Sequence, residues 1–120
     1  MVDIAAVRRI AAALPGAQDQ SEGERLIFAV ADRGFAWSYL ERQHPKRPRV
    51  SRPDVLVVRC PMERKELLIA AAGDRFFDDD HYRGYQAVLV RLDAIAEDEL
   101  AELLADACAM QAAKRPRKRS

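Results

Sequence analysis

The sequence has 120 residues, 49% hydrophobic and 32% charged, which is enough for one domain with its own core and too apolar for a disordered chain. No apolar run approaches the roughly 18 residues that span a bilayer. The first residues, Met1 to Ile10, already hold an acid and two arginines instead of a secretory signal, so a cytoplasmic protein is expected. Cys60 and Cys108 belong to no CxxC or CxxH unit and are expected to be reduced, partly buried thiols.

The net charge of +1 hides a segregation. Without Lys114, Arg115, Arg117, Lys118 and Arg119 the balance falls from 20 bases against 19 acids to 15 against 19, or −4. Residues 41–52 hold five bases and one acid, and setting them aside as well leaves −8. An acidic body thus carries two basic appendages, and local positive potential is what attracts polyanions.

In chain order, Ile4, Val7, Ala11 and Leu14 follow helical spacing, Ile10 widens the stripe, and Asp3 is placed to cap the helix. Pro15-Gly16 ends it. After a polar connection, Leu26 to Ala31 reads as a strand, Asp32-Arg33-Gly34 as a tight turn and Phe35 to Tyr39 as the returning strand, with Phe35, Trp37 and Tyr39 on one face. Glu41 to Asp54 contains Pro45, Pro48 and Pro53, each lacking a backbone donor, and is expected to be a basic extended loop.

Val55 to Arg59 is a β-branched run expected to form a central strand. Cys60-Pro61 ends it and starts a second helix to about Ala72, with Leu67, Leu68 and Ala71 as its core-facing stripe and Gly73 as its stop. Ala87 to Leu92 reads as another strand. Ile95 and Leu100 bracket the start of a final helix, Glu97-Asp98-Glu99 fill its first turn, and Leu100, Leu103, Leu104, Ala107 and Gln111 share its inner face to about Ala113. Hairpins without long βαβ alternation predict an α+β fold, an antiparallel sheet with packed helices. Residues 1–113 are expected to form one domain and 114–120 a disordered basic tail.

Between the second helix and the strand at Ala87 lies Phe76-Phe77-Asp78-Asp79-Asp80-His81-Tyr82-Arg83-Gly84-Tyr85, which holds four of the eight aromatics and one of the two histidines. Such a cluster either locks a loop onto the core or presents a recognition surface, here His81, Tyr82, Arg83 and Tyr85.

Leu14-Pro15-Gly16-Ala17, Phe35-Ala36-Trp37, Val58-Arg59-Cys60-Pro61, Phe76-Phe77, and His81-Tyr82-Arg83-Gly84-Tyr85 followed by Val88-Leu89-Val90-Arg91-Leu92 together resemble the MmcQ/YjbR family, from about Val7 to about Ala113. The resemblance implies a two-layer α+β domain similar to type III secretion chaperones. It also implies DNA binding, through a double-wing arrangement proposed for the family, and it identifies no catalytic residue. The Asp78-Asp79-Asp80 run departs from common members, and carboxylates repel phosphate.

Asp78-Asp79-Asp80-His81 offers metal-ligand types, but consecutive side chains seldom converge on one ion, and a solvated acidic turn is the competing reading. Cys60 at a helix N-terminus could be an activated thiol paired with His81, or a small apolar filler. Ser21, Ser38 and Ser51 lie in no nucleophile elbow and the glycines form no phosphate loop, so no catalytic residue, cofactor or metal is assigned. The functional candidates are the phosphate-contacting side chains Arg42, Lys46, Arg47, Arg49 and Arg52 of the loop and Lys114, Arg115, Arg117, Lys118 and Arg119 of the tail, set against a merely solubilising role. Nucleic acid is the leading partner, a protein or small ligand at residues 76–85 the alternative, and a membrane is excluded.

Overall fold

The computed structural model describes residues 2–41, 46–48 and 50–114. Among them the chain forms three helices and six strands: α1 (Ile4–Ala12), β1 (Ala17–Asp19), β2 (Ile27–Val30), β3 (Arg33–Glu41), β4 (Val50–Arg59), α2 (Met62–Ala71), β5 (Phe76–Phe77), β6 (Ala87–Arg91) and α3 (Glu97–Ala112). The strands make one sheet of order β1-β2-β3-β4-β6-β5, and every neighbouring pair is antiparallel. The architecture is the expected α+β one.

The first and last helices follow from their apolar spacing. Asp3 caps α1 through a 2.8 Å bond from the Ala6 amide, and Val7 and Ala11 are buried. In α3 the acidic first turn lies at the positive end of the helix dipole, and Leu100, Leu103, Leu104, Ala107, Cys108 and Gln111 are buried. These faces meet Phe28, Phe35, Ala36, Leu56, Val58, Val88 and Val90 of the sheet in the main core. The opposite face of the sheet carries no helix among the described residues; there Val55, Val57, Ala87 and Leu89 are buried with Trp37, Tyr39, Phe77 and Tyr82 packed against them.

Several local expectations are corrected. Residues Ala17 to Asp19 and Phe76-Phe77, read as connection and aromatic stretch, are short edge strands. The first hairpin turns at Ala31 and Asp32, both with positive φ (50° and 61°), so that Val30 pairs with Arg33. Two residues of positive φ match the sheet's right-handed twist, which the three-residue turn assigned at Asp32-Arg33-Gly34 does not require.

Phe35 does not share a face with Trp37 and Tyr39. The β2–β3 register shifts between Phe28 and Ala29, and the extra residue of this bulge turns Phe35 into the helix-side core beside Phe28, their rings 6.3 Å apart. Trp37 and Tyr39 then fall on the other face.

In α2 the stripe is rotated: Leu67 is 69% exposed and Ala71 exposed, whereas Lys65 is only 1% exposed. Lys65, Leu68, Ile69 and Ala72 keep the i, i+3, i+4, i+7 spacing of a buried face, with a lysine at its first position.

The loop expected over Glu41 to Asp54 is shorter than that. β3 continues to Glu41 and β4 begins at Val50, with Tyr39 opposite Arg52, Leu40 opposite Ser51 and Glu41 opposite Val50. Between Ser38, which faces Leu56, and Tyr39 the register jumps, and Pro53 falls in the unpaired interval, where its missing N–H costs no ladder bond.

Candidate functional site

Two features stand out from the sheet. The first is the far end of the β3–β4 pair. β6 pairs with β4 only over Val55 to Arg59 and β2 with β3 only up to Trp37, so among the described residues Tyr39–Glu41 and Val50–Arg52 pair with each other alone. They form a two-stranded arm that extends beyond the neighbouring strands, with Tyr39 at its base packed against the body of the sheet. At its tip Lys46 and Arg47 are exposed; Arg42 and Arg49 lie outside the described residues, as do Arg115, Arg117, Lys118 and Arg119 of the tail.

Arg52, at the base of the arm, is committed elsewhere. Its Nε and Nη2 donate to the Asp54 carboxylate at 3.1 and 3.0 Å, and this fork holds the Asp54 pKa below its ordinary value against the opposing effect of burial. Lys114 is exposed and directly follows α3.

The second feature is the segment 78–85 on the helix-free face, which is fastened by side chains from three directions. From α2, the Lys65 ammonium donates to the Tyr82 and Tyr85 carbonyls at 2.7 and 3.0 Å and pairs with the Asp78 carboxylate at 3.1 Å. From β3, the Trp37 indole donates to the Tyr82 hydroxyl at 3.0 Å and the Tyr39 hydroxyl to Asp79 at 2.5 Å. Within the segment, Asp79 also accepts from the Tyr82 amide at 2.8 Å, and Gly84 turns the chain with φ +77°.

The acidic run is thereby accounted for residue by residue. Asp78 and Asp79 fasten the loop, and Asp80 pairs with Arg83 at 2.7 Å. His81 stands edge-on to the Tyr82 ring at 4.8 Å. Among the described residues no three of His, Cys, Asp and Glu come together to hold a metal. Of the alternative recognition residues, Tyr82 is tied into this network while His81, Arg83 and Tyr85 are exposed. Lys65, which organises the segment, was missed because a lysine on an α2 face reads as solvent-exposed; its i+3 and i+4 relation to Leu68 and Ile69 was the available signal.

Arginines line the aromatic face. Arg91 lies over the Phe77 ring at 4.1 Å and Arg59 over the Tyr85 ring at 4.9 Å, distances at which a cation is attracted to the π-face.

Cys60 follows β4, with its amide bonded to the Gln86 carbonyl at 3.0 Å. Burial pushes its thiol pKa up, against the smaller opposing pull of Lys65, Arg64 and Arg59, and burial does the same to Cys108. A raised pKa is the reverse of activation. Among the described residues no hydrogen bond links Cys60 to His81. In a shallow depression of about 470 Å³ lined by Asp3, Ala5, Ala6, Arg9 and Glu97, Arg9 pairs with Glu97 at 2.6 Å and Asp3 accepts from the Ala6 amide.

These features belong to an α+β protein with helices on one face of an antiparallel sheet and an aromatic loop on the other. Its backbone is similar to the crystal structure of the Deinococcus radiodurans protein DR2400, described as a DUF419 domain, with a TM-score of 0.70 at 22% identity over 95% of this chain and 81% of that one. The chain belongs to the YjbR family, whose sequence profile matches residues 12–109. No curated protein matches it. No helix among the described residues is long and apolar enough to cross a membrane.

Proposed function

We propose that this chain is a nucleic-acid-binding domain without a catalytic role, and that it contacts phosphates through the β3–β4 arm. The observation that carries this reading is the arm itself: among the described residues, 39–41 and 50–52 pair only with each other, and the sequence between them, 42–49, is the most basic stretch of the chain outside the tail. A two-stranded ribbon bearing cations at its tip can follow a groove or a backbone while the body stands clear, which limits repulsion between phosphate and the acids of residues 78–80. The basic tail that follows Lys114 adds further charge. Binding of this kind is governed by charge more than by base identity.

A salt titration of duplex binding by the wild type and by Arg47→Ala/Arg49→Ala tests the reading. A lowered dependence of affinity on salt in the double variant supports it. An unchanged dependence, with affinity lost only on deletion of 114–120, removes the arm from the interface and leaves the exposed His81, Arg83 and Tyr85 as a protein- or ligand-recognition surface.

A further inference from the structure

On the helix-free face of the sheet two arginines stand at opposite ends of one aromatic surface. Val55 and Val57 of β4 and Ala87 and Leu89 of β6 belong to this face, and strand alternation places Arg59 and Arg91 on it with them. In the β4–β6 register Arg91 lies opposite Val55 and Arg59 opposite Ala87, so the steps from Val55 to Arg59 separate the two arginines by about 13 Å along the strands. The side chains between them are joined by contact. The Arg59 guanidinium lies 4.9 Å from the Tyr85 ring centroid, Tyr85 stands edge-on to Tyr82 at 5.7 Å, Tyr82 and Phe77 pack on the same buried cluster, and Arg91 lies 4.1 Å over Phe77.

Among the described residues neither Arg59 nor Arg91 pairs with a carboxylate, and the Arg59 Nε is buried with no hydrogen-bond partner. Stacking alone does not account for this. Arg75 also lies against a ring, 5.6 Å from the centroid of Phe76, and still forks onto Glu99 at 2.5 and 3.0 Å. The carboxylates around the aromatic surface are engaged elsewhere: Asp54 with Arg52, Asp78 with Lys65, Asp79 with the Tyr39 hydroxyl and the Tyr82 amide, and Asp80 with Arg83. A guanidinium laid flat on a ring keeps its edge N–H groups in the plane in which a carboxylate accepts two of them. Buried donors are seldom left unsatisfied in native proteins.

We propose that this face docks an extended acidic segment of another protein, with Arg59 and Arg91 each taking a carboxylate and an apolar side chain seated between them against Phe77 and Tyr85. Tyr85 is 44% exposed, one of two large hydrophobic side chains so placed among the described residues. An extended chain rises about 3.3 Å per residue and points alternate side chains the same way. Acids four positions apart therefore match the spacing of the arginines, and the residue midway between them faces the rings. Charge selects a protein over a nucleic acid here. A peptide can confine its negative charge to the two arginines, whereas a nucleic-acid strand carries a phosphate at every nucleotide past Asp79 and Asp80. The surface is distinct from the tip of the arm, and the inference does not rest on phosphate binding there.

The test is a titration with a short synthetic peptide that carries two glutamates four positions apart and a leucine midway between them, set against the same peptide with glutamines. Binding is read from the emission of Trp37, the only tryptophan, which packs on the same cluster. The glutamate peptide should shift that emission saturably, and the glutamine peptide should bind at least about tenfold more weakly. Arg59→Gln and Arg91→Gln should each weaken binding by about tenfold, roughly the worth of one charge-assisted hydrogen bond, while Arg47→Ala/Arg49→Ala should leave it unchanged. Failure of the glutamate peptide to saturate, or equal affinity of the glutamine peptide, overturns the proposal. So does wild-type affinity in Arg91→Gln, an exposed position where loss of the fold is not at issue. Displacement of the peptide by a single-stranded oligonucleotide, with the same dependence on Arg59 and Arg91, assigns the face to nucleic acid and overturns it as well. None of these results alters the salt dependence of duplex binding at the arm, so the two readings fall separately.

Discussion

The Trp37 indole donates to the Tyr82 hydroxyl at 3.0 Å, joining the central sheet to the aromatic segment across 45 residues of chain. Tyr82→Phe keeps the ring and removes the acceptor, leaving a part-buried N–H unpaired at a cost of about 1–2 kcal/mol. Trp37 is the only tryptophan, so its emission reports the change directly. Equal unfolding midpoints together with an unmoved emission maximum would mean that the loop is held without this bond.

Lys65 should matter more. Its ammonium is nearly inaccessible and serves two carbonyls and one carboxylate, so Lys65→Met strands three acceptors at once. Breaking a buried charge pair costs about 3–5 kcal/mol, reduced here because the Asp78 side chain is 29% exposed; about 2–4 kcal/mol is expected. Asp78→Asn leaves both carbonyl bonds in place and should cost less. Hydrogen exchange over residues 78–86 should accelerate in the lysine variant, and an unaltered exchange pattern would refute its role as the fastening.

The two leucines that sequence spacing treats alike should behave differently. Leu104 is fully buried on α3 and Leu67 is 69% exposed on α2. Leu104→Ala should cost about 2–5 kcal/mol, and Leu67→Ala less than about 0.5 kcal/mol, both read from denaturant midpoints. Comparable losses at the two sites would mean that the face of α2 has been misassigned.

Asp19 sets a pH dependence. The Ser21 hydroxyl and amide, then Arg8, hold its carboxyl below the ordinary value against the effect of burial. A folded-state pKa below the unfolded one stabilises the protein above the unfolded value of about 3.9, and that contribution is lost as pH falls through the folded pKa. The stability difference between wild type and Asp19→Asn should thus be flat from about pH 5 upward and shrink in acid. A difference that grew on acidification would reverse the sign and exclude this cause.

Where burial and spacing agree, the fold was legible in the sequence. Leu100, Leu103, Leu104 and Ala107 could face only inward, and Val55 to Arg59 could be only a strand between others. The failures have physical causes. Phe35 changes face because one bulge residue inverts the alternation on which every later position depends. Lys65 is buried because three acceptors in a loop distant in sequence compensate it, which local spacing cannot reveal. Pro53 was read as a strand breaker, yet a register jump supplies a position where no donor is needed. The exposed cations of the arm were readable from composition.

The cations of the arm are not equivalent, and salt dependence should separate them. Each phosphate neutralised adds about 0.9 to the slope of log affinity against log salt on B-form DNA. Arg47 is exposed and Arg49 follows two positions later in the sequence, so Arg47→Ala/Arg49→Ala should reduce the slope by roughly two and weaken binding similarly on all duplexes, because phosphate contacts carry no base information. Arg52 already forms a two-bond fork with Asp54, so a phosphate must compete with a carboxylate for it, and Arg52→Ala should change the slope by much less than one. Asp54→Asn releases that guanidinium and should steepen the slope instead. If Arg52→Ala lowers the slope as far as the double variant does, the fork opens on binding and the tip is not the principal contact; if none of the three variants alters it, the arm does not touch phosphate.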